Sequence, residues 1–379
     1  MKFIFLNADR MNLDNIPEIK KIRKFNEFLR VYKSDDMQIG FGPPQAGKNI
    51  FLIEVSKLSN QWTGDLASKD SFNTLASIPI SVCEAVQKGY CRIAIISTIE
   101  GDSFLKSHWN AFKAMHHDIE QRKFPTNSVM IVSGNLKLKE EYLEWCRNEN
   151  VFPTLDIVGG IDWDAREAYD PDKPLCIDTI LRNHSSIAIL NSLNRTDRPH
   201  RKQHIEWCEE NIINFAKDNL ISGYGHTVDL DNRKGSLGNT HNRKIYENSM
   251  LSVVTETFFD EPGLFITEKT FRCIALGHPC IVLGQPGILD YFDSIGINLR
   301  FPGLDTTYDS KKDHKVRFSE FHDTLEYWYH LTVQERYPLL KSWKPILQQN
   351  AKVYSKINFH HQTINNIIKS SEQYFLTKP

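Results

Sequence analysis

From residue 80 onward the chain alternates short, almost wholly apolar runs with stretches of helical length, and few folds accept that pattern. CRIAIIST (91–98), SVMIVSG (128–134) and TLDIVGG (154–160) read as strands. A helical stretch through Cys83 to Lys88 leads into the first of them, and helices near 104–120 and 137–148 follow. Strands that lack a polar face are buried on both sides, and strand–helix–strand units of this length impose parallel pairing. The opening MKFIFLNA and NIFLIEV (49–55) add two more strands.

DPDKPL (170–175) interrupts the alternation, because Asp170, Pro171, Asp172 and Pro174 do not sustain regular structure. The pattern then restarts. SSIAILNSL (185–193), SMLSVVTET (249–257) and PCIVLG (279–284) read as strands, HRKQHIEWCEENII (200–213) and TEKTFRCIALG (267–277) as helices. Gly277 occupies a helix-ending position and Pro279 follows as a stop. The end of the chain reads as helical, with Trp328, Tyr329, Leu331, Tyr337, Leu340 and Trp343 as buried contacts. A chain of 379 residues exceeds one ordinary core. The expectation is an α/β protein with two Rossmann-like, parallel-sheet domains, residues 1–175 and 176–345, and a helical tail, 346–379. Ligands bind such sheets beyond the carboxyl ends of the strands, which makes 99–103, 133–135 and 159–164 candidate cleft loops.

Composition narrows the function. Hydrophobic residues at 40% and charged residues at 25% exclude a wholly disordered chain. Lys plus Arg total 46 against 47 Asp plus Glu, so nucleic acid is not held by bulk charge and any such binding needs a local patch. Seven cysteines, an odd count without a CxxC pair, argue against a disulfide framework and a structural zinc site. No apolar run reaches the roughly 20 residues of a membrane span. MKFIFLNADRMNLD turns polar too early for a secretory signal, so a reducing, cytoplasmic setting is expected. Residues 17–33 read as an amphipathic helix whose outer face carries Lys20, Lys21, Arg23, Lys24, Arg30 and Lys33. Such a run is most often a solvated face, and otherwise a surface that attracts phosphate.

Several short motifs fail on context. GPPQAGKN (42–49) fits G-x-x-x-x-G-K but ends in Asn49, contains two prolines that remove amide donors, and is followed by a strand instead of a helix. It reads as a turn. The D-x-D pattern occurs three times, at Asp162–Asp164, Asp170–Asp172 and Asp229–Asp231, and only the first follows a convincing strand. That pair retains a minority reading as a magnesium site. The pairs His116–His117 and His360–His361 point in different directions on a helix and imply no metal centre.

The strongest signal is YENSMLSVVTETFFDEPGLFITEKTFRCIALGHPCIVLG (246–284). Thr267 is a good helix cap, the helix start favours an anion, and Lys269 supplies a cation suited to phosphate. Glu268 is a carboxylate able to accept two hydroxyl hydrogen bonds, as from a ribose. The plain alternative is a capped helix with Glu268 complementing the dipole and Lys269 solvated.

The order Glu247-Asn248-Ser249, Thr267-Glu268-Lys269 and then Ala275-Leu276-Gly277-His278-Pro279 to Gly284 resembles the donor-binding region of the family 10 glycosyltransferases, the α-1,3-fucosyltransferases. ITEKTF and GHPxIxLG resemble a group of bacteriophage-encoded glycosyltransferase-like proteins more closely. LNSLNRTDRPHRKQHIEW (190–207) is a second matching block, with Arg195, Arg198 and Arg201 at a strand-to-helix turn; arginine forks suit a nucleoside diphosphate. The resemblance covers residues 185–300. It implies a GT-B fold, with the nucleotide sugar on the carboxyl-terminal domain, Glu268 on the ribose, and Lys269 and Arg195 on the diphosphate. Arg198, Arg201, Asn248, Ser249 and Thr267 complete the expected donor site. The chain departs from that family in the insert around FFDEPG (258–263) and across its amino-terminal half.

The expected activity is transfer of a sugar from a UDP- or GDP-type donor to a hydroxyl acceptor, with no obligatory metal. Glu100 and Asp102, after the strand at 91–98, are the candidate bases, followed by Asp162; ordinary helix capping accounts for Asp102 equally well. The acceptor is a saccharide or lipid-linked glycan, or a hydroxymethylated base in DNA, which requires base flipping and a basic groove. Arg233, Lys234, Arg243 and Lys244, with the helix at 17–33, are available to line one. The alternative is a non-catalytic nucleotide-binding or interaction protein on the same fold.

Overall fold

The computed structural model describes residues 3–7, 37–40, 44, 47–55, 75, 78–97, 111–159, 177–182, 189–192, 198–212, 219–223, 226–227, 246–357 and 359–377. The chain divides into two compact units, Met1–Ile161 with Phe359–Pro379, and Asp162–Asn358.

The first unit is built on six parallel strands: β1 (Phe3–Asn7), β2 (Met37–Gly40), β3 (Lys48–Val55), β4 (Cys91–Ser97), β5 (Val129–Ser133) and β6 (Leu155–Gly159). Their spatial order is β2-β1-β3-β4-β5-β6. Three helices belong to the crossovers: α1 (Ile80–Gln87), α2 (Ala111–Gln121) and α3 (Leu138–Glu149). Registers such as Phe51 opposite Ile93 and Ile93 opposite Val129 stack the apolar runs. Ile95, Ile131 and Val86 are fully buried among them, and Phe51, Tyr142 and Ile157 almost so. The strands are apolar on both faces because helices cover both.

The last helix, α10 in the numbering completed below, returns to this unit. Arg92, at the start of β4 and 1% exposed, donates to Asp156 Oδ2 at 2.5 Å, Ser370 Oγ at 2.8 Å, Ser371 Oγ at 3.2 Å and the Asn127 carbonyl at 2.9 Å. Its guanidinium also lies over the Tyr374 ring, 5.2 Å from the centroid. Burial works against the ionised Asp156 carboxyl, but Arg92 and Ser370 hold it below the usual carboxylate range.

The second unit contains α4 (Ile177–Arg182), β7 (Ile189–Ser192), α5 (Pro199–Asn211), β8 (Asn219–Gly223), β9 (His226–Thr227), β10 (Ser252–Thr255), α6 (Glu268–Leu276), β11 (Cys280–Leu283), α7 (Ile288–Ser294), α8 (His314–His330) and α9 (Val333–Lys356). The returning helix, α10, is Phe359–Leu376. Strand order is β11-β10-β7-β8-β9, parallel except for the short antiparallel β9. The chain therefore starts in the middle of this sheet, builds outward to β8, then returns to the other side of β7 to lay down β10. That reversal between β7 and β10 is where a doubly wound sheet opens its ligand crevice.

The helical region packs on a stacked Trp328–Trp343 pair, both fully buried, with ring centroids 5.4 Å apart. On the buried face of α5, His204 Nδ1 and His322 Nε2 of α8 share a hydrogen bond of 2.9 Å. No helix among the described residues is long and apolar enough to cross a membrane. The six described cysteines are all free.

Arg92→Ala is expected to destabilise the first unit by about 3–5 kcal/mol, because it strands the buried Asp156 carboxylate. Urea unfolding followed by circular dichroism measures this, and a loss below about 1 kcal/mol contradicts the anchoring role of Arg92.

Candidate functional site

The end of β10 is the meeting point of two helix amino termini. β10 is buried throughout; Glu256 follows it directly and takes its backbone N–H to the Leu283 carbonyl of β11 at 2.9 Å. On one side α5 begins at Pro199, with Arg198 as its cap in extended conformation. On the other α6 begins at Glu268, capped by Thr267. Each start carries the positive end of its helix dipole.

Glu256 ties the two sides together. Its carboxylate is fully buried and accepts from the Thr267 N–H at 3.2 Å, the Thr267 hydroxyl at 2.5 Å and the Thr270 hydroxyl at 2.5 Å. Burial pushes its pKa up, and the nearby Lys269 ammonium and the two hydroxyls oppose that rise without cancelling it. Its carbonyl accepts from His200 Nε2 of α5 at 2.9 Å, and the neighbouring Thr255 carbonyl accepts from Arg201 Nη2 at 3.0 Å. Gly284 makes this geometry possible: a Cβ there would stand 2.4 Å from Ile288 Cδ1 and 3.1 Å from Glu256 Cβ. Any side chain at 284 would push on Glu256 or Ile288.

Of the sequence-derived candidates, Arg198, Arg201, Thr267, Glu268 and Lys269 are gathered at this strand end. Thr267 caps α6 as expected, accepting from the Lys269 N–H at 3.5 Å. Lys269 is neither solvated nor extended: only 4% exposed, it donates through Nζ to Thr267 Oγ1 at 2.9 Å and to Glu268 Oε1 at 3.0 Å. Burial favours a neutral Glu268, yet Lys269 and Arg272 together hold its carboxyl below the ordinary value. Arg201 is 1% exposed and engaged with the strand backbone. Arg198 is half-buried, its guanidinium over the Phe258 ring 5.5 Å from the centroid.

Asn248 and Ser249 are elsewhere. They precede β10, whereas Thr267–Lys269 sit at its far end, so the strand itself separates them. Ser249 Oγ lies 3.3 Å from His278 Nε2, and Ser252 Oγ lies 3.1 Å from His278 Nδ1. This is the buried junction behind α6. Arg195, Glu100 and Asp102 lie outside the described residues, as do all three D-x-D pairs, the helix at 17–33 and the basic residues 233–234 and 243–244. Among the described residues no group of His, Cys, Asp or Glu is arranged to hold a metal ion. Of GPPQAGKN, Lys48 and Asn49 open β3 with no helix after them, and the Asn49 amide donates to the carbonyls of Gly47 and Tyr90 at 3.2 and 3.1 Å.

Sequence reasoning passed over Glu256, His200 and Thr270. The available signal was an acid directly after a buried strand, in SVVTET, and a Thr on the face of α6 that looks back toward it. The FFDEPG insert is a fixed loop. Arg317 donates to the Phe259 carbonyl, and Gln285 Nε2 donates to the carbonyls of Glu261 and Pro262 at 3.0 Å.

No family model and no curated protein matches the sequence. Among solved structures, the chain is similar to one in the crystal structure of the GtfA/B complex, at 10% identity and TM-score 0.42 over 94% of this chain; it spans 60% of that protein's length. It is also similar to the wall teichoic acid polymerase TagF, determined with CDPG, at 11% identity and TM-score 0.26, over 98% of this chain and 89% of the other.

Two expectations follow from the site's electrostatics. Burial lowers the pKa of His204 and His322, and brings His200 and His278 to about 4 from an ordinary 6.5. The unfolded chain therefore takes up these protons first, so their contribution to stability is intact above about pH 6.5 and is lost as pH falls toward 4, at up to ~1.4 kcal/mol per pH unit each. The raised carboxyls Glu256 and Asp309 act in the opposite sense in acid and make the net fall shallower. Urea titrations from pH 7.5 to 4 check this, and the slope is expected to lessen in His278→Asn. Separately, Glu256→Ala leaves the buried Thr267 N–H without its carboxylate and is expected to cost about 1–3 kcal/mol, measured in the same titration at pH 7.5.

Proposed function

We propose that the chain is a GT-B-type glycosyltransferase that moves a sugar from a nucleoside-diphosphate donor to a hydroxyl acceptor, the second unit taking the donor and the first the acceptor. The observation that carries this reading is the convergence of two helix amino termini, with Arg198, Glu268 and Lys269, at the strand reversal between β7 and β10. Crevices of that kind are where doubly wound sheets hold phosphates.

In the proposed reaction the bond from the anomeric carbon to the β-phosphate oxygen breaks while the acceptor oxygen bonds to that carbon. The charge developing on the departing diphosphate is met by Lys269, Arg198 and the amides of the two helix starts, with Arg195 the expected further contact. These cations make an obligatory metal unnecessary to the proposal. Glu268 takes the ribose hydroxyls. The acceptor's proton goes to a carboxylate of the first unit, and Glu100 and Asp102, a few residues past β4 in the sequence, remain the proposed bases. A glycan, or a hydroxymethylated base in DNA, is the proposed acceptor; neither is favoured by a described residue. The non-catalytic alternative keeps the nucleotide and lacks turnover.

Thermal-shift screening with UDP, GDP and ADP and their sugars is expected to find one stabilising nucleotide, and stabilisation by none of them rejects the proposal. Lys269→Ala is expected to keep the fold and lower affinity for that nucleotide by about 10–100-fold, the worth of one or two charge-assisted hydrogen bonds. Arg198→Ala is expected to weaken it by about tenfold. Nucleotide binding without transfer to any glycan or hydroxymethylated DNA, read by mass spectrometry, selects the non-catalytic alternative.

A further inference from the structure

Lys269 is a buried ammonium with one proton unspent. Its side chain is 3% exposed, and among the described residues Nζ has two partners, Thr267 Oγ1 at 2.9 Å and Glu268 Oε1 at 3.0 Å. An ammonium carries three donors. The two partners differ in kind. Thr267 is fixed from below, since its own hydroxyl is committed to Glu256. Glu268 is the outward member of the pair, its side chain 14% exposed, and it is the first residue of α6, where the helix start favours a negative charge. A carboxylate thus occupies the position at which an anionic ligand of this site would gain most. Arg198 adds a guanidinium that makes no described hydrogen bond and lies over Phe258, on the α5 side of the same strand end.

Resting on the donor site proposed above, we infer that Glu268 is a placeholder anion. It holds the phosphate position on Lys269 in the empty site and yields it only to a ligand that brings both a phosphate and hydroxyl donors. The physical reasoning is a balance of partners. A phosphate that reaches Lys269 displaces Glu268 from the ammonium and leaves a partly buried carboxylate beside a new anion, which is repulsive. Inorganic phosphate and pyrophosphate offer nothing in return. A ribose offers two adjacent hydroxyls, and an ionised carboxylate accepts both. The exchange turns a general anion site into one selective for nucleotides over free pyrophosphate, the anion most similar to its leaving group.

The test measures binding of inorganic pyrophosphate and of UDP, GDP and ADP by calorimetry to the full chain and to Glu268→Gln, which keeps the side-chain shape and removes the charge. In Glu268→Gln, pyrophosphate is expected to bind about tenfold more tightly than to the wild type, while the preferred nucleotide binds more weakly, so that selectivity collapses from both ends. Pyrophosphate affinity that is unchanged, or that falls together with the nucleotide's, overturns the inference. A purely structural role would lower the ligand-free melting temperature and leave the ratio of the two affinities alone, which also overturns it. Glu268→Ala, read the same way, replaces the glutamine variant should the latter not fold. Failure of the wild type to bind any nucleotide is a different outcome, since it removes the donor site itself and the inference with it.

Discussion

The buried carboxylate of Glu256 is the interaction on which the second unit's geometry depends. A charge with no exposed surface persists only where its hydrogen bonds are made, and here they come from the cap residue and the first turn of α6. The strand end, the helix start and the β11 side are thereby fixed to one atom group, because the same residue also pairs with Leu283 and receives His200. Thr267 is then left in one orientation, its proton toward Glu256 and its lone pairs toward Lys269. The Lys269 ammonium is the next link in that chain of bonds, donating to Thr267 Oγ1 and Glu268 Oε1.

The first unit has a comparable anchor in Arg92, and the contrast is informative. Arg92 spends its guanidinium on a carboxylate, two serines, a carbonyl and an aromatic face, all within its unit. A fully occupied fork of this kind is a structural fastener. Arg198 differs: it is half-buried, its guanidinium over the Phe258 ring. Burial alone does not distinguish the arginines, since Arg201 is as buried as Arg92.

Much of the sheet architecture was legible because parallel strands buried on both faces must be apolar throughout. That signature is plain in β4, β5, β6, β10 and β11. It fails for β2, β8 and β9, which have four, five and two residues, carry polar groups, and owe their existence to the neighbours they pair with. The return of α10 to the first unit was not legible either, because the contact between Arg92 and Ser370 joins residues 278 apart in sequence. At the site, Thr267 and Gly277 could be read because caps obey local rules. Glu256 could not, since an acid after a strand looks like any loop residue until the threonines that satisfy it are brought alongside. Asn248 and Ser249 show the converse. Order along the chain placed them with Thr267-Glu268-Lys269, but a strand runs between, and its length holds the two groups at opposite ends of the sheet.

The chain's near-zero net charge, 46 cations against 47 carboxylates, is not the charge a ligand would meet. Among the described residues around the end of β10 stand Arg198, Arg201, Lys269 and Arg272 against Glu256, Glu268 and Asp260, an excess of one positive charge. All but Arg198 and Asp260 are buried or nearly so, where solvent screens them little and where Coulomb energies exceed those at an exposed surface. The positive charge of the described residues at this strand end is therefore concentrated at one place instead of being spread over a surface.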